Sequence, residues 1–206
     1  MTQSTSSLKT DIEHSFNNLF KTVDEKKWPL FIEVQKKLLH GQPLDVKTVA
    51  DILETSMTKA AQMICQFGET NEDGRVVAFA GISIIPTPHS FKVNGVQLYT
   101  WCAADALIFP SFFDVAAEIE SADPINGQLI KLSINKKQID FIQPKSAYVS
   151  WIDAIDTNDI RNSMCKRVHF FVSKQTADEW QKENPIASIL PAKNLFKFLI
   201  NPMECC

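Results

Sequence analysis

The apolar residues of this 206-residue chain change their spacing once, and that change sets the fold class. Up to about residue 66 they recur at helical intervals. Ile12, Phe16, Leu19, Phe20 and Val23 follow a Thr10–Glu13 capping pattern. Leu30, Phe31, Val34 and Leu38 follow Pro29, a favoured first-turn residue, and Gly41 and Pro43 end that segment. Val46, Val49, Ile52 and Leu53 follow Asp45, and Met57, Ala60, Ala61 and Ile64 follow a turn near residues 54–56. Four amphipathic helices are therefore expected. Beyond them the pattern turns strand-like. Asn94-Gly95, the strongest short hairpin signal, separates Phe91–Val93 from Val96–Tyr99. Further strands are expected around Val115–Glu120, Leu129–Ile134, Ala147–Trp151 and Val168–Val172. Helices return behind a Thr176–Glu179 capping box and from Pro191 to about Ile200.

Helices first and hairpins later imply an α+β fold. The turn signal Asn71-Glu72-Asp73-Gly74 adds a small hairpin after the helices, so residues 11–85 read as a winged-helix-like module. Pro86 and Pro88 mark a boundary, and residues 86–206 form a mixed domain of antiparallel sheets and helices. Residues 1–10 read as a disordered lead-in.

Lys and Arg number 21 against 24 Asp and Glu, a formal charge of −3. That balance disfavours a general nucleic-acid or membrane-surface protein, which is usually basic. No apolar run nears the ~20 residues of a membrane span, and the Ser/Thr-rich start lacks the apolar core of a signal peptide. The expected location is the cytoplasm, where thiols stay reduced. Cys65, Cys102, Cys165, Cys205 and Cys206 then read as free thiols, metal ligands or nucleophiles. Without Cys-x-x-Cys or His-x-x-x-His spacing, a structural zinc site is not expected.

Two segments carry chemistry. In Leu98-Tyr99-Thr100-Trp101-Cys102-Ala103-Ala104-Asp105, a strand gives way to small residues and then to Leu107-Ile108-Phe109-Pro110. A helix starting near Cys102 puts Cys102 and Asp105 on one face. Its N-terminus favours a thiolate, and the carboxylate can accept the thiol proton. A buried cysteine beside a capping aspartate meets the same spacing, and free cysteine is usually buried. In Arg161 to Phe171, Cys165 precedes an apolar run, with Lys166 and Arg167 placed to lower its pKa. Taken alone, a surface-loop cysteine fits that pattern better. His169, between apolar residues, reads as a core histidine, and Cys65 as core on the fourth helix.

Together, Leu98–Pro110 and Arg161–Phe171 with Ser173 and Thr176–Trp180 closely resemble the two active-site segments of the organomercurial lyase (alkylmercury lyase) family. The resemblance spans roughly residues 28 to 200 and is weaker outside these segments. It implies an N-terminal winged-helix-like part followed by a catalytic domain. Cys102 and Cys165 match the two mercury-binding cysteines, and Asp105 matches the proton-handling carboxylate. The implied reaction is protonolysis of a carbon–mercury bond to Hg(II) and a hydrocarbon, with free thiols but no organic cofactor. The implied acceptor of Hg(II) is mercuric reductase or a small thiol, and mercuric resistance and detoxification are the implied setting. Lys166 stands where some members carry a further cysteine, and residues 120–123 offer none.

The chemistry explains the residues. Mercury(II) is soft and prefers thiolates. Two sulfurs on mercury push charge toward carbon, which then takes a proton from a neighbouring acid. Cys205-Cys206, at the end of the chain, fit a relay that captures mercury, or a tail with no role. Two rival readings stay open. A winged-helix metal sensor needs a basic recognition helix, and residues 56–66 offer only Lys59. A non-catalytic thiol protein that sequesters metal has no need of Asp105.

Overall fold

The computed structural model describes residues 9, 10, 12, 14, 27–152 and 159–200. The expected helix from Thr10 to Val23 lies mostly outside these residues, although Ile12 is fully buried. Helix α1 (Trp28–Leu38) carries Pro29 in its first turn and buries Phe31, Val34, Gln35 and Leu38. Helix α2 (Val46–Ile52) is capped by Asp45, whose carboxylate accepts from the Thr48 amide at 2.7 Å. Helix α3 (Met57–Phe67) is capped by Ser56 and buries Ala60 and Ile64. Met57 and Ala61 face outward, so the apolar stripe is narrower than the sequence implied. Cys65 is also exposed, against the expectation of a core cysteine. It falls one residue past Ile64, about 100° round the helix from the buried side.

Eight antiparallel strands form the main sheet in the order β1-β2-β3-β5-β4-β6-β7-β8. They are β1 (Gly68–Thr70), β2 (Val76–Phe79), β3 (Ile82–Ser83), β4 (His89–Val93), β5 (Val96–Thr100), β6 (Ala116–Ala122), β7 (Leu129–Asn135) and β8 (Gln138–Gln143). The hairpin around Gly74 and the Asn94-Gly95 hairpin both form, the latter with φ of 50° and 82°. Such paired positive angles suit a two-residue turn whose twist matches the strands. Strand β6 buries every second residue and leaves the rest exposed, as a sheet with one wet face requires. Strand β8 was not anticipated. It is an edge strand, mostly exposed, so burial imposes no clear apolar alternation on it.

Helix α4 (Ala103–Phe113) buries eight of its eleven residues and packs on β4, β5, β6 and β7. Apolar residues all round mark a helix covered on every side. A second sheet, β10-β9-β11, combines β9 (Tyr148–Trp151), β10 (Phe170–Phe171) and β11 (Ser188–Pro191). Helix α5 (Ile160–Ser163) and a 3₁₀ turn (Cys165–Arg167) precede β10. The expected strand Val168–Val172 shrinks to β10, because Val168 closes that turn and Ser173 begins a helix. That helix, α6 (Lys174–Gln181), is capped by Ser173 rather than Thr176. Thr176 instead donates to buried Asp123 at 2.7 Å, which outweighs a capping role. Helix α7 (Ala192–Ile200) packs on α4. No described helix is long and apolar enough to cross a membrane.

Candidate active site

Strand β5 ends at Thr100, and Cys102 is the N-cap of α4, as the small residues after Trp101 implied. An N-cap side chain accepts from the third helical residue, and here that residue is Asp105. The Asp105 amide donates to Cys102 Sγ at 3.4 Å, and the Cys102 thiol donates to Asp105 Oδ2 at 3.2 Å. The sulfur thus does a capping oxygen's job while its proton points at a carboxylate. Thr100 Oγ1 donates to the Cys102 carbonyl at 3.0 Å and fixes the cap from behind.

Cys165 arrives from the far side of the chain. Its 3₁₀ turn is joined to α4 by the Ala103 amide, which donates to the Val168 carbonyl at 3.0 Å. Buried Ser150 on β9 holds the same turn: its hydroxyl donates to the Arg167 carbonyl at 2.8 Å and accepts from the His169 amide at 2.9 Å. The ligand atoms of Cys102, Asp105 and Cys165 all lie within 4.8 Å of one another. Both cysteines are buried, and Asp105 keeps partial exposure.

The electrostatics depart from the sequence reading. Burial, the contact with Cys165 and the Asp105 charge raise the Cys102 thiol well above its ordinary value, and the helix amide offsets little of this. For Cys165 the contact with Cys102 pulls down, but burial and the Asp105 charge push up, and the net shift is upward. Neither thiol is the ready thiolate that a helix N-terminus or a basic loop implied, because desolvation outweighs those dipoles and charges. The cation that acts on Cys165 is Arg161 rather than Lys166 or Arg167. Arg161 lies over the Trp101 ring, 5.1 Å from its centroid, and pairs with Glu69 of β1. Burial raises the Asp105 carboxyl to about 7, against which the Cys102 hydrogen bonds work. The free site thus holds two protonated soft donors beside a carboxyl that gains or loses a proton near neutrality.

Of the sequence candidates, the structure brings Cys102, Asp105 and Cys165 together. Cys205 and Cys206 lie outside the described residues. His169 is half-buried, packed against His89 and Trp180. Sequence reasoning missed Glu69, and it missed Gly81, whose backbone abuts Asp105. Phe79-Ala80-Gly81-Ile82 does carry a signal, a glycine two residues into a gap between apolar runs.

The sequence profile of the alkylmercury lyase family (MerB) matches residues 82–202. An alkylmercury lyase of Staphylococcus epidermidis is 32% identical over 170 residues, 82% of this chain and 78% of that one. One from Bacillus cereus is 33% identical over 176 residues, covering 84% and 80% of the two chains. One from Pseudomonas putida is 31% identical over 169 residues, covering 81% and 79%. A crystal structure of the mercury-bound form of MerB2 shares the fold, with TM-score 0.79 over 95% of this chain and 98% of that one, at 19% identity.

Proposed function

The chain belongs to the alkylmercury lyase family, enzymes that cleave the carbon–mercury bond, and from that premise we propose a protonolysis run by Cys102, Cys165 and Asp105. The observation that carries the reading is the convergence of two buried sulfurs and one carboxylate within 4.8 Å. An organomercury cation in a cell is held by a thiol, so the substrate class is an R–Hg–thiolate. One R–Hg–thiolate and two cysteine thiols give R–H, mercury bound to both cysteine sulfurs, and the released carrier thiol. Two hydrogen atoms are needed as protons, one for carbon and one for the carrier, and the two raised thiol pKa values mean that the resting site holds both.

Asp105 moves one of them. It takes the proton from Cys102, to which it is already hydrogen-bonded, and delivers it to carbon as the second sulfur joins mercury. An ordinary aspartate near ~3.9 holds a proton poorly at neutral pH. At about 7 it can accept and donate in one cycle. Turnover then needs free thiols to remove Hg(II) and no organic cofactor, with mercuric reductase or a small thiol as acceptor.

Residues 11–85 form a winged-helix-like module whose strands β1–β3 join the main sheet of the catalytic part, residues 86–206, and bind no nucleic acid. The enzyme works in the reducing cytoplasm, off the membrane, in mercury detoxification. Cys205 and Cys206 relay Hg(II) outward; unchanged transfer to a reductase after deletion of both overturns that role. The central test is benzene release from phenylmercury with excess thiol. Cys102→Ala and Cys165→Ala are each expected to abolish it, and near-normal turnover in either refutes the two-sulfur mechanism.

A further inference from the structure

The β2–β3 connection is a two-residue turn, with Phe79 opposite Ile82 and φ of 46° at Ala80 and 100° at Gly81. Its glycine stands directly on the active-site carboxylate. A Cβ added to Gly81 meets Asp105 Cγ at 2.9 Å, Asp105 Oδ1 at 3.0 Å and Phe109 Cζ at 2.8 Å. The approaches to Asp105 Cγ and Phe109 Cζ are shorter than real Cβ atoms show, so the bare Cα is what lets the carboxyl group come this close to the backbone here.

The turn is braced from three sides. The Gln35 side chain, buried on α1, donates from Nε2 to the Ala80 carbonyl at 2.6 Å. The Ala80 amide donates to the Phe67 carbonyl at 2.6 Å. The Trp101 amide, one residue before Cys102, donates to the Gly81 carbonyl at 2.9 Å. A buried polar side chain is costly unless paired, and Gln35 spends its donor on this turn. Helix α1, the end of α3 and the strand that delivers Cys102 are thus tied to one two-residue turn, and that turn forms a wall behind Asp105. Its face toward the carboxylate is the bare glycine Cα.

We propose that Gly81, held by Gln35 through Ala80, is a positioning residue for the proton transfer: it fixes the Asp105 carboxyl at the angle from which it reaches Cys102 and the scissile carbon. The N-terminal part of the chain thereby sets the geometry of a reaction whose sulfurs and carboxylate all come from beyond residue 100. The proposal rests on the proton-shuttle role of Asp105.

The test compares full-length Gly81→Ala, Gln35→Met and Asp105→Asn with the unaltered enzyme. The readouts are kcat and KM for phenylmercury cleavage, and the mercury–thiolate charge-transfer absorption on titration with Hg(II). In Gly81→Ala the Cβ displaces the carboxylate while both sulfurs stay in place, so kcat falls ~10²-fold, the usual cost of a misplacement near 1 Å. KM and the mercury–thiolate band stay as in the unaltered enzyme. In Gln35→Met the glycine remains and only the turn is released, and kcat falls less, with the same intact band. A folded Gly81→Ala enzyme with unchanged kcat overturns the proposal. So does a parallel loss of kcat and mercury binding, which marks a merely structural residue. If Gly81→Ala does not fold, Gln35→Met decides: lowered kcat with intact mercury binding supports the proposal, and unchanged kcat overturns it. Asp105→Asn separates the two levels. If that variant still turns over normally, the shuttle reading itself fails; if it loses cleavage while Gly81→Ala and Gln35→Met do not, only the positioning role fails.

Discussion

In the proposed protonolysis Asp105 is the residue on which catalysis turns, and its environment explains why it could serve twice. Its backbone amide caps onto Cys102 while its carboxylate receives the same residue's proton. Asp105→Asn keeps the shape and loses the acid. Cleavage should fall ~10²–10⁴-fold, the usual share of positioned proton transfer, while titration with Hg(II) still shows two-thiolate binding. The pH profile should follow the same group. On the proposed mechanism Asp105 begins as the base in the free enzyme, so kcat/KM should rise with pH through about 7 and lose that limb in the asparagine variant. A flat profile from pH 6 to 8 removes Asp105 from the first step. At this scale the sequence was half legible. The three-residue spacing of Cys102 and Asp105 puts them on one face, but spacing carries no account of desolvation. The thiols therefore read as activated when burial in fact keeps them protonated.

The elements show how a pair 63 residues apart is assembled. Helix α4 presents Cys102 at its first turn, and the Cys165 turn is fastened to it by one backbone bond and to β9 by Ser150. Ser150→Ala leaves an acceptor and a donor unpaired at a fully buried position. Each such loss costs ~1–3 kcal/mol, so the variant should melt earlier and bind Hg(II) more weakly, as calorimetry and thiol-competition titration will show. A weaker fold with unaltered mercury affinity denies that Ser150 aims Cys165. The hairpins at Gly74 and Asn94-Gly95 were legible because their turn residues carry the signal locally. Strand β8 and the Ser173 cap were not: one is an exposed edge, the other was decided by the bond from Thr176 to Asp123, far away in sequence. The meeting of Cys165 with Cys102 is likewise a tertiary fact, and in the sequence only the family resemblance pointed to it.

For the whole molecule, two desolvated titratable groups, His89 and Asp105, set opposing demands on pH. His89 lies fully buried, bonded through Nδ1 to Ser121 at 2.8 Å, and burial with the neighbouring His169 lowers its pKa to about 3. Its folded value lies below its unfolded 6.5, so the unfolded chain binds the extra proton between those values and stability falls as pH drops from 6.5 toward 3. Asp105 is displaced the other way. Its folded value exceeds its unfolded 3.8, the folded state keeps the proton longer, and stability falls as pH rises from 3.8 toward 7. Each group alone contributes up to ~1.4 kcal/mol per pH unit within its window. Asp105→Asn should therefore raise Tm at pH 8 and leave it little changed at pH 4, and a variant no more stable at pH 8 contradicts the burial account. The carboxyl assigned the proton transfer in the proposed mechanism is in this sense held against the stability of the fold. The same sheet that carries the N-terminal helices also holds β5, the strand that leads into Cys102.

The most direct measurement is the isotopic composition of the hydrocarbon released from phenylmercury in heavy water with excess thiol. The account predicts benzene carrying one deuterium per molecule, equimolar with Hg(II), and none from Cys102→Ala or Cys165→Ala. Mercury bound to the chain with its phenyl group intact, or benzene free of deuterium, contradicts it.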